Sequence, residues 1–166
     1  MNRMSFVFAL VVTVVLITAS SALSVQAADK QTLTYTAQMG PIISIKIETP
    51  GDQPDHQLVR TVRTDMTLSD NPDWNEVPVI NYGQSDLVGG TGKVSGFALR
   101  THRNGDQTYY RYQGTLMTGP GKGSADTTGE GTVELVGGTG KFKNAKGAGT
   151  WRSSEGISTI TMEVQY

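Results

Sequence analysis

The heptapeptide LVGGTGK occurs twice, at Leu87–Lys93 and at Leu135–Lys141. Glycine runs ending in Gly-Lys can cradle phosphates with their backbone N–H groups, so nucleotide binding is the first chemistry to test. A phosphate loop needs Gly-x-x-x-x-Gly-Lys and then Ser or Thr, whose hydroxyl meets magnesium. Here Val94 and Phe142 follow the lysines, and Leu87 and Leu135 stand where the first glycine belongs. A dinucleotide fingerprint must open a helix, whereas VSGFALRTH and FKNAKGAGTW alternate or are β-branched and glycine-broken. Both nucleotide readings fail on context. The glycines Gly89, Gly90 and Gly92, and again Gly137, Gly138 and Gly140, instead suit positive φ and a bulge where strands reverse. Lys93 and Lys141 would then start the return strands, exposed to solvent. The run reads as a turn used twice.

The remaining reactive side chains are scattered. His56 sits in GDQPDHQ, a loop-like stretch, and His102 precedes Arg103-Asn104; neither has a visible partner for a catalytic dyad. No His/Asp/Glu spacing resembles a metal site. Asp65, Asp70 and Asp73 lack the central glycine and terminal glutamate of a calcium loop, and Asp70 and Asp73 suit the turn around Pro72. No G-x-S-x-G occurs, and with zero cysteines there is neither thiol chemistry nor a disulfide. No metal or cofactor is expected, and no catalytic residue can be assigned.

The aromatic run Tyr109-Tyr110-Arg111-Tyr112 is the most suggestive feature left. On a strand, Tyr110 and Tyr112 share a face with Gly114 and Leu116, opposite Tyr109, Arg111 and Gln113. Phe97 and Leu99 form a comparable pair one hairpin earlier. Trp151 ends a run in which Ala145, Gly147 and Gly149 share a face and leave room. Tyr110, Tyr112, Phe97, Leu99 and Trp151 are therefore the candidate ligand-binding residues. Two readings compete: these side chains fill a small barrel, or they line a cavity where tyrosine hydroxyls orient a small molecule.

The elements that must position them are strands. Ile43, Ile45 and Ile47 alternate with Ser44, Lys46 and Glu48 between Pro41 and Pro50, the pattern of a half-buried strand. Val62, Thr64, Met66 and Leu68 oppose Thr61, Arg63, Asp65 and Thr67, and the C-terminus sets Ile160, Met162, Val164 and Tyr166 against Thr159, Thr161, Glu163 and Gln165. Thr32–Ala37, Val77–Tyr82, Val94–His102, Tyr109–Thr118, Thr132–Val136 and Phe142–Trp151 also read as strands. Turn residues separate them, and Asn104-Gly105 is a strong hairpin signal. Eight, or up to nine, short strands without a helical stretch predict an all-β antiparallel sandwich or barrel. Closure into a barrel removes exposed edges. Thr118–Gly131 is nearly devoid of apolar side chains and reads as a loop.

Residues 1–27 fit a secretory leader: Arg3, the apolar run Phe6–Ile17, then small residues ending Val25-Gln26-Ala27. The apolar run is short for a membrane span, so cleavage after Ala27 is expected, leaving residues 28–166 as a single domain with no membrane span. All 20 glycines lie in that part, which argues against helix. Net charge is −1 over the whole chain, and losing Arg3 makes it more negative. No basic footprint for nucleic acid exists.

Glu134–Trp151, ELVGGTGKFKNAKGAGTW, resembles the dirigent-protein segment in which V-G-G-T-G precedes F, two residues, A, a basic residue and G. It is similar also to the G-G-S/T-G-x-F-x-x-x-x-G segment of allene oxide cyclases, and YYRYQGTLMT (Tyr109–Thr118) resembles a cyclase strand. The resemblance, confined to about Tyr109–Trp151, implies an eight-stranded antiparallel barrel with an apolar lumen, as a possible homotrimer. Its chemistry does not transfer: the cyclase cysteine has no counterpart, and no position matches the acidic and arginine motifs of dirigent lumens. The leading expectation is an exported barrel, periplasmic or secreted, that binds a small apolar or aromatic molecule in its lumen. The alternatives are a cyclase or isomerase acting by confinement, and a surface interaction protein with a solid barrel whose Thr118–Gly131 loop does the recognising.

Overall fold

The protein is described by a computed structural model covering residues 30–118 and 127–166; the expected leader lies outside the described residues. Eight strands follow one another: β1 (Gln31–Glu48), β2 (His56–Leu68), β3 (Val77–Val88), β4 (Thr91–Thr101), β5 (Gln107–Thr118), β6 (Thr127–Gly138), β7 (Lys146–Ser154) and β8 (Ile157–Gln165). Each is antiparallel to the next, and β8 returns to β1, closing the barrel in chain order. The alternating runs thus form the antiparallel strands their period predicts, and of sandwich and barrel the sheet takes the closed barrel.

Two expected strands fuse to give eight rather than nine. Thr32–Ala37 and the isoleucine run are both part of β1, which passes through Gly40-Pro41 with register shifts at Met39/Ile42 and Ile42/Ser44. A bulge accommodates a proline that cannot donate to the ladder. β8 pairs with β1 only as far as Gln38. Beyond it, β1 pairs with β2 alone and its other edge is free, while β2 stays paired with β3 along its whole length; this free-edged extension of β1 is the flap.

The flap's isoleucines are not half-buried as the alternation suggested. Ile43, Ile45 and Ile47 are 60%, 53% and 54% exposed. Alternation fixes which residues share a face, but not whether anything covers that face.

β2 is inverted. Pairing of Asp65 with Val79 and of Ala37 with Thr67 turns Thr61, Arg63, Asp65 and Thr67 toward the lumen. The more apolar set, including Met66 and Leu68, lies on the outer wall.

The two LVGGTGK runs adopt different turns. Gly89 and Gly90, at φ 57° and 78°, form a two-residue hairpin joining β3 to β4; positive φ at both positions is what such a turn demands. In the second run Gly137 (φ 141°) sits where the β5–β6 register shifts, and Gly140 (φ 52°) opens a 3-10 turn, Gly140–Phe142. Gly92 and Gly138 lie within strands. Lys141 therefore belongs to that turn, with Nζ 2.6 Å from Asp73, rather than starting a strand. The strand expected from Phe142 begins at Lys146, because Phe142 is drawn fully into the core. The loop expected at Thr118–Gly131 is shorter: Gly129 and Gly131 are paired residues of β6. Backbone pairing does not require apolar side chains. Residues 119–126 lie outside the described residues.

Candidate functional site

The barrel has two unlike ends. At one, the β2–β3 connection brings in Trp74, which is fully buried, with centroids 5.0 Å from His102, 5.5 Å from Phe142, 6.2 Å from Tyr110 and Tyr166, and 6.3 Å from Tyr35. Its indole N–H donates to the Tyr166 hydroxyl. His102 donates from Nδ1 to the Asp73 carbonyl at 2.8 Å, and its Nε2 accepts from the Thr108 hydroxyl at 3.0 Å. Burial pushes the pKa of His102 down, so it is a neutral member of an aromatic plug. This end is sealed.

At the other end the inward-facing side chains remain partly accessible, among them Thr61, Arg63, Tyr112 and Leu116. Asp65, itself buried, organises them. It accepts from Arg63 Nε at 2.9 and 3.2 Å, from Asn81 Nδ2 at 3.3 Å and from the Gly40 N–H at 3.3 Å. Asn81 Oδ1 accepts from the Tyr112 hydroxyl at 2.7 Å. The ring of Tyr112 stands edge-on to Trp151, 6.2 Å away. A Cβ at Gly96 would overlap the Tyr112 hydroxyl, and one at Gly114 or Gly129 would press on Trp151. The inward glycines are thus the floor on which these two rings lie. Burial pushes the Tyr112 pKa up to about 12, against the opposing pull of Arg63. Tyr112 is therefore a neutral hydrogen-bonding group at physiological pH, not a base.

The flap continues this wall beyond the rim. Ile45 pairs with Thr61 and Ile47 with Val59, and Thr61 and Val59 belong to the inward-facing set of β2. The inner side of the flap is therefore an apolar surface, exposed, and contiguous with the lumen lining. At its tip the His56 side chain bridges Asp52 and Asp86, with Nε2 2.9 Å from Asp86. The hydrogen bonds it donates to Asp52 and then to Asp86 raise its pKa against burial. Gly89 N–H donates to the Asp55 carbonyl at 3.2 Å, pinning the β1–β2 loop to the β3–β4 hairpin.

Between the two ends lies a second polar group. Arg100, 4% exposed, lies over the rings of Tyr110 at 4.1 Å and Tyr35 at 4.6 Å. Its Nε donates to Thr67 at 3.1 Å and Nη2 to the Tyr35 hydroxyl at 2.7 Å.

Of the five residues proposed from sequence, Tyr110, Tyr112 and Trp151 point into the barrel. Phe97 and Leu99 do not. Their strand parity is opposite to that of Ala98 and Arg100, which are buried, and Phe97 stacks at 6.3 Å on Tyr109 on the outer wall. Phe97 lines a groove of about 1500 Å³ along the outside, together with Tyr82, Arg111 and Glu134 among others. That groove is open and carries both charge signs, so it defines no ligand geometry. Sequence reasoning missed Arg63, Asp65, Asn81 and Arg100. The inverted strand β2 was a usable signal, since its charged set must face inward once its neighbours are registered.

These features define a closed eight-stranded barrel with one sealed end and one accessible end. No family model and no curated protein matches the chain. A solved structure, pyocyanin demethylase, is similar with a TM-score of 0.44 and 12% identity, over 80% of this chain and 99% of that one. So distant a likeness does not bear on what this chain binds. No helix among the described residues is long and apolar enough to cross a membrane.

Proposed function

We propose that this barrel binds a small molecule with an apolar or aromatic body at its accessible end. The observation that carries the reading is the uncovered apolar inner face of the flap, Ile45 and Ile47 above Val59, continuous with a lumen closed at its far end. Ligand sites are typically concave, mostly apolar, and carry a few placed polar groups; here Tyr112, Asn81 and Arg63 supply them. Binding is favoured over acid–base catalysis because the buried tyrosines have raised pKa values, which suits orienting a ligand more than taking its proton. We further read the chain as an exported member of the allene oxide cyclase-like and dirigent-like barrels, on its leader pattern and the Glu134–Trp151 segment.

The test is thermal denaturation of the protein with fatty acids, terpenoids and phenolics. A true ligand at 100 times its Kd stabilises by about 2.7 kcal/mol, a shift of several degrees. The double variant Ile45→Ser, Ile47→Ser should keep the unliganded midpoint nearly unchanged, since exposed substitutions cost within about 0.5 kcal/mol, and lose most of the ligand shift. Absence of a shift with every class sinks the reading.

A further inference from the structure

Among the described residues, Arg100 is a cation without a counter-ion. A guanidinium stays charged at any pH a protein meets, and a buried charge is tolerated when paired and hydrogen-bonded. The neighbouring charges are already matched: Asp65 is taken by Arg63, and Asp73 by Lys141. No carboxylate among the described residues pairs with Arg100, and its buried Nη1 has no hydrogen-bond partner. The Tyr110 hydroxyl, whose ring lies against the same guanidinium, is buried beside Arg100 and Thr108 without a hydrogen bond of good geometry. An orphan buried guanidinium nitrogen is uncommon in a native interior, where nearly all such groups are satisfied.

Toward the accessible end, the next inward residue on β4 is small and is flanked in register by Asn81 and Tyr110. Ala98 precedes it by one inward step on β4, and Ala37 is paired with Thr67, the acceptor of Arg100 Nε. The guanidinium therefore lies one inward step below the row formed by Asn81, Ala98 and Tyr110, and Tyr112 is the next inward residue beyond Tyr110 on β5. Resting on the lumen-binding reading above, we propose that Arg100 Nη1 and the Tyr110 hydroxyl are the anchor for an acidic ligand group, so that the molecule bound is a carboxylic acid with an apolar or aromatic body. Both groups donate to the carboxylate oxygens, and the body extends toward Tyr112, Trp151 and the flap. No bond is made or broken. The anchor supplies the charge that the interior lacks and fixes which end of the ligand goes in first.

The experiment is calorimetric titration of the full chain with two acids, cinnamate and decanoate, and with their uncharged primary amides. The acids should bind about tenfold or more tightly than the amides, as loss of a charged hydrogen-bonding partner implies. In Arg100→Met, which keeps the apolar stem, that preference should vanish, the acids losing far more affinity than the amides. Tyr110→Phe, which alters one atom, should reduce the preference without abolishing it. Equal binding of acid and amide by the wild-type protein overturns the anchor and leaves the lumen-binding reading intact, with structural water on Nη1 as the explanation. Binding of neither pair overturns both. If Arg100→Met fails to fold, the wild-type comparison and Tyr110→Phe decide the matter alone.

Discussion

The two ends of the barrel are built from the same kind of strand and do opposite things with it. At the sealed end, loops between strands deliver large rings: Trp74 from the β2–β3 connection and Phe142 from the 3-10 turn before β7, both fully buried. At the accessible end the rings come from the strands themselves, Tyr112 and Trp151, and the facing strands answer with glycine. The first arrangement fills space from outside the ladder and so removes solvent. The second depends on strand positions without side chains, and it leaves polar groups and the flap's isoleucines within reach of a ligand. The difference teaches that, in this barrel, closure of the sheet and closure of the lumen are separate events.

The comparison can be broken most forcefully at the plug. Trp74→Ala should cost about 3–5 kcal/mol, the range for deleting a large buried aromatic, a large share of a typical domain's stability. Chemical denaturation monitored by far-UV circular dichroism measures it. A loss below about 1 kcal/mol would mean the sealed end is not what holds the barrel together.

A smaller effect is expected at the glycine floor. Gly96→Ala places a methyl group against the Tyr112 hydroxyl, and overpacking of this kind costs about 1–3 kcal/mol. The Tyr112–Asn81 hydrogen bond should break with it, visible as a changed near-ultraviolet dichroism. Unchanged dichroism with unchanged stability would show that Tyr112 is free to move aside.

The smallest effect sharpens the contrast, because each end holds one buried histidine and their pKa values move in opposite directions. His102 is lowered by burial, so the unfolded chain binds the proton more readily; its contribution is full above the unfolded value near 6.5 and falls as pH drops below it. His56 is raised by Asp52 and Asp86, so its contribution is full below about 6.5 and fades as pH rises through the folded value. Asp52, lowered chiefly by its hydrogen bond to His56, sets the acid limit, losing its contribution as pH falls through its depressed value. Two-dimensional imidazole NMR across pH 4–9 should show His56 protonated over a range where His102 is neutral. Amide exchange at Gly89, whose N–H holds the loop carbonyl of Asp55, should quicken as His56 deprotonates. Coincident titration of the two histidines would end the distinction.

The strand content was legible because period-two alternation follows from backbone geometry alone, and the exclusion of nucleotide chemistry because it needs fixed neighbours that are missing. Tyr110, Tyr112 and Trp151 shared a face by the same arithmetic. Phe97 and Leu99 show its limit: Ala98 and Arg100 alternate with them equally well, and sequence preference favours the wrong pair. The partners of His56 were hidden for a simpler reason. Asp86 is 30 residues away, and only the β2–β3 register sets it beside the ring.

By itself, then, the sequence determined that this chain is a set of antiparallel strands with tight glycine turns, without thiol chemistry and without a catalytic signature. Side-chain direction alternates whatever the strand packs against, so these conclusions needed no tertiary information. Only the tertiary structure decided which face of each strand became the inside. It turned β2 with its charges inward, left Arg100 buried without a carboxylate among the described residues, sealed one end with Trp74 and left the isoleucines of the flap uncovered. Those outcomes depend on register between strands distant in sequence, and a shift of one residue would exchange every inside for an outside.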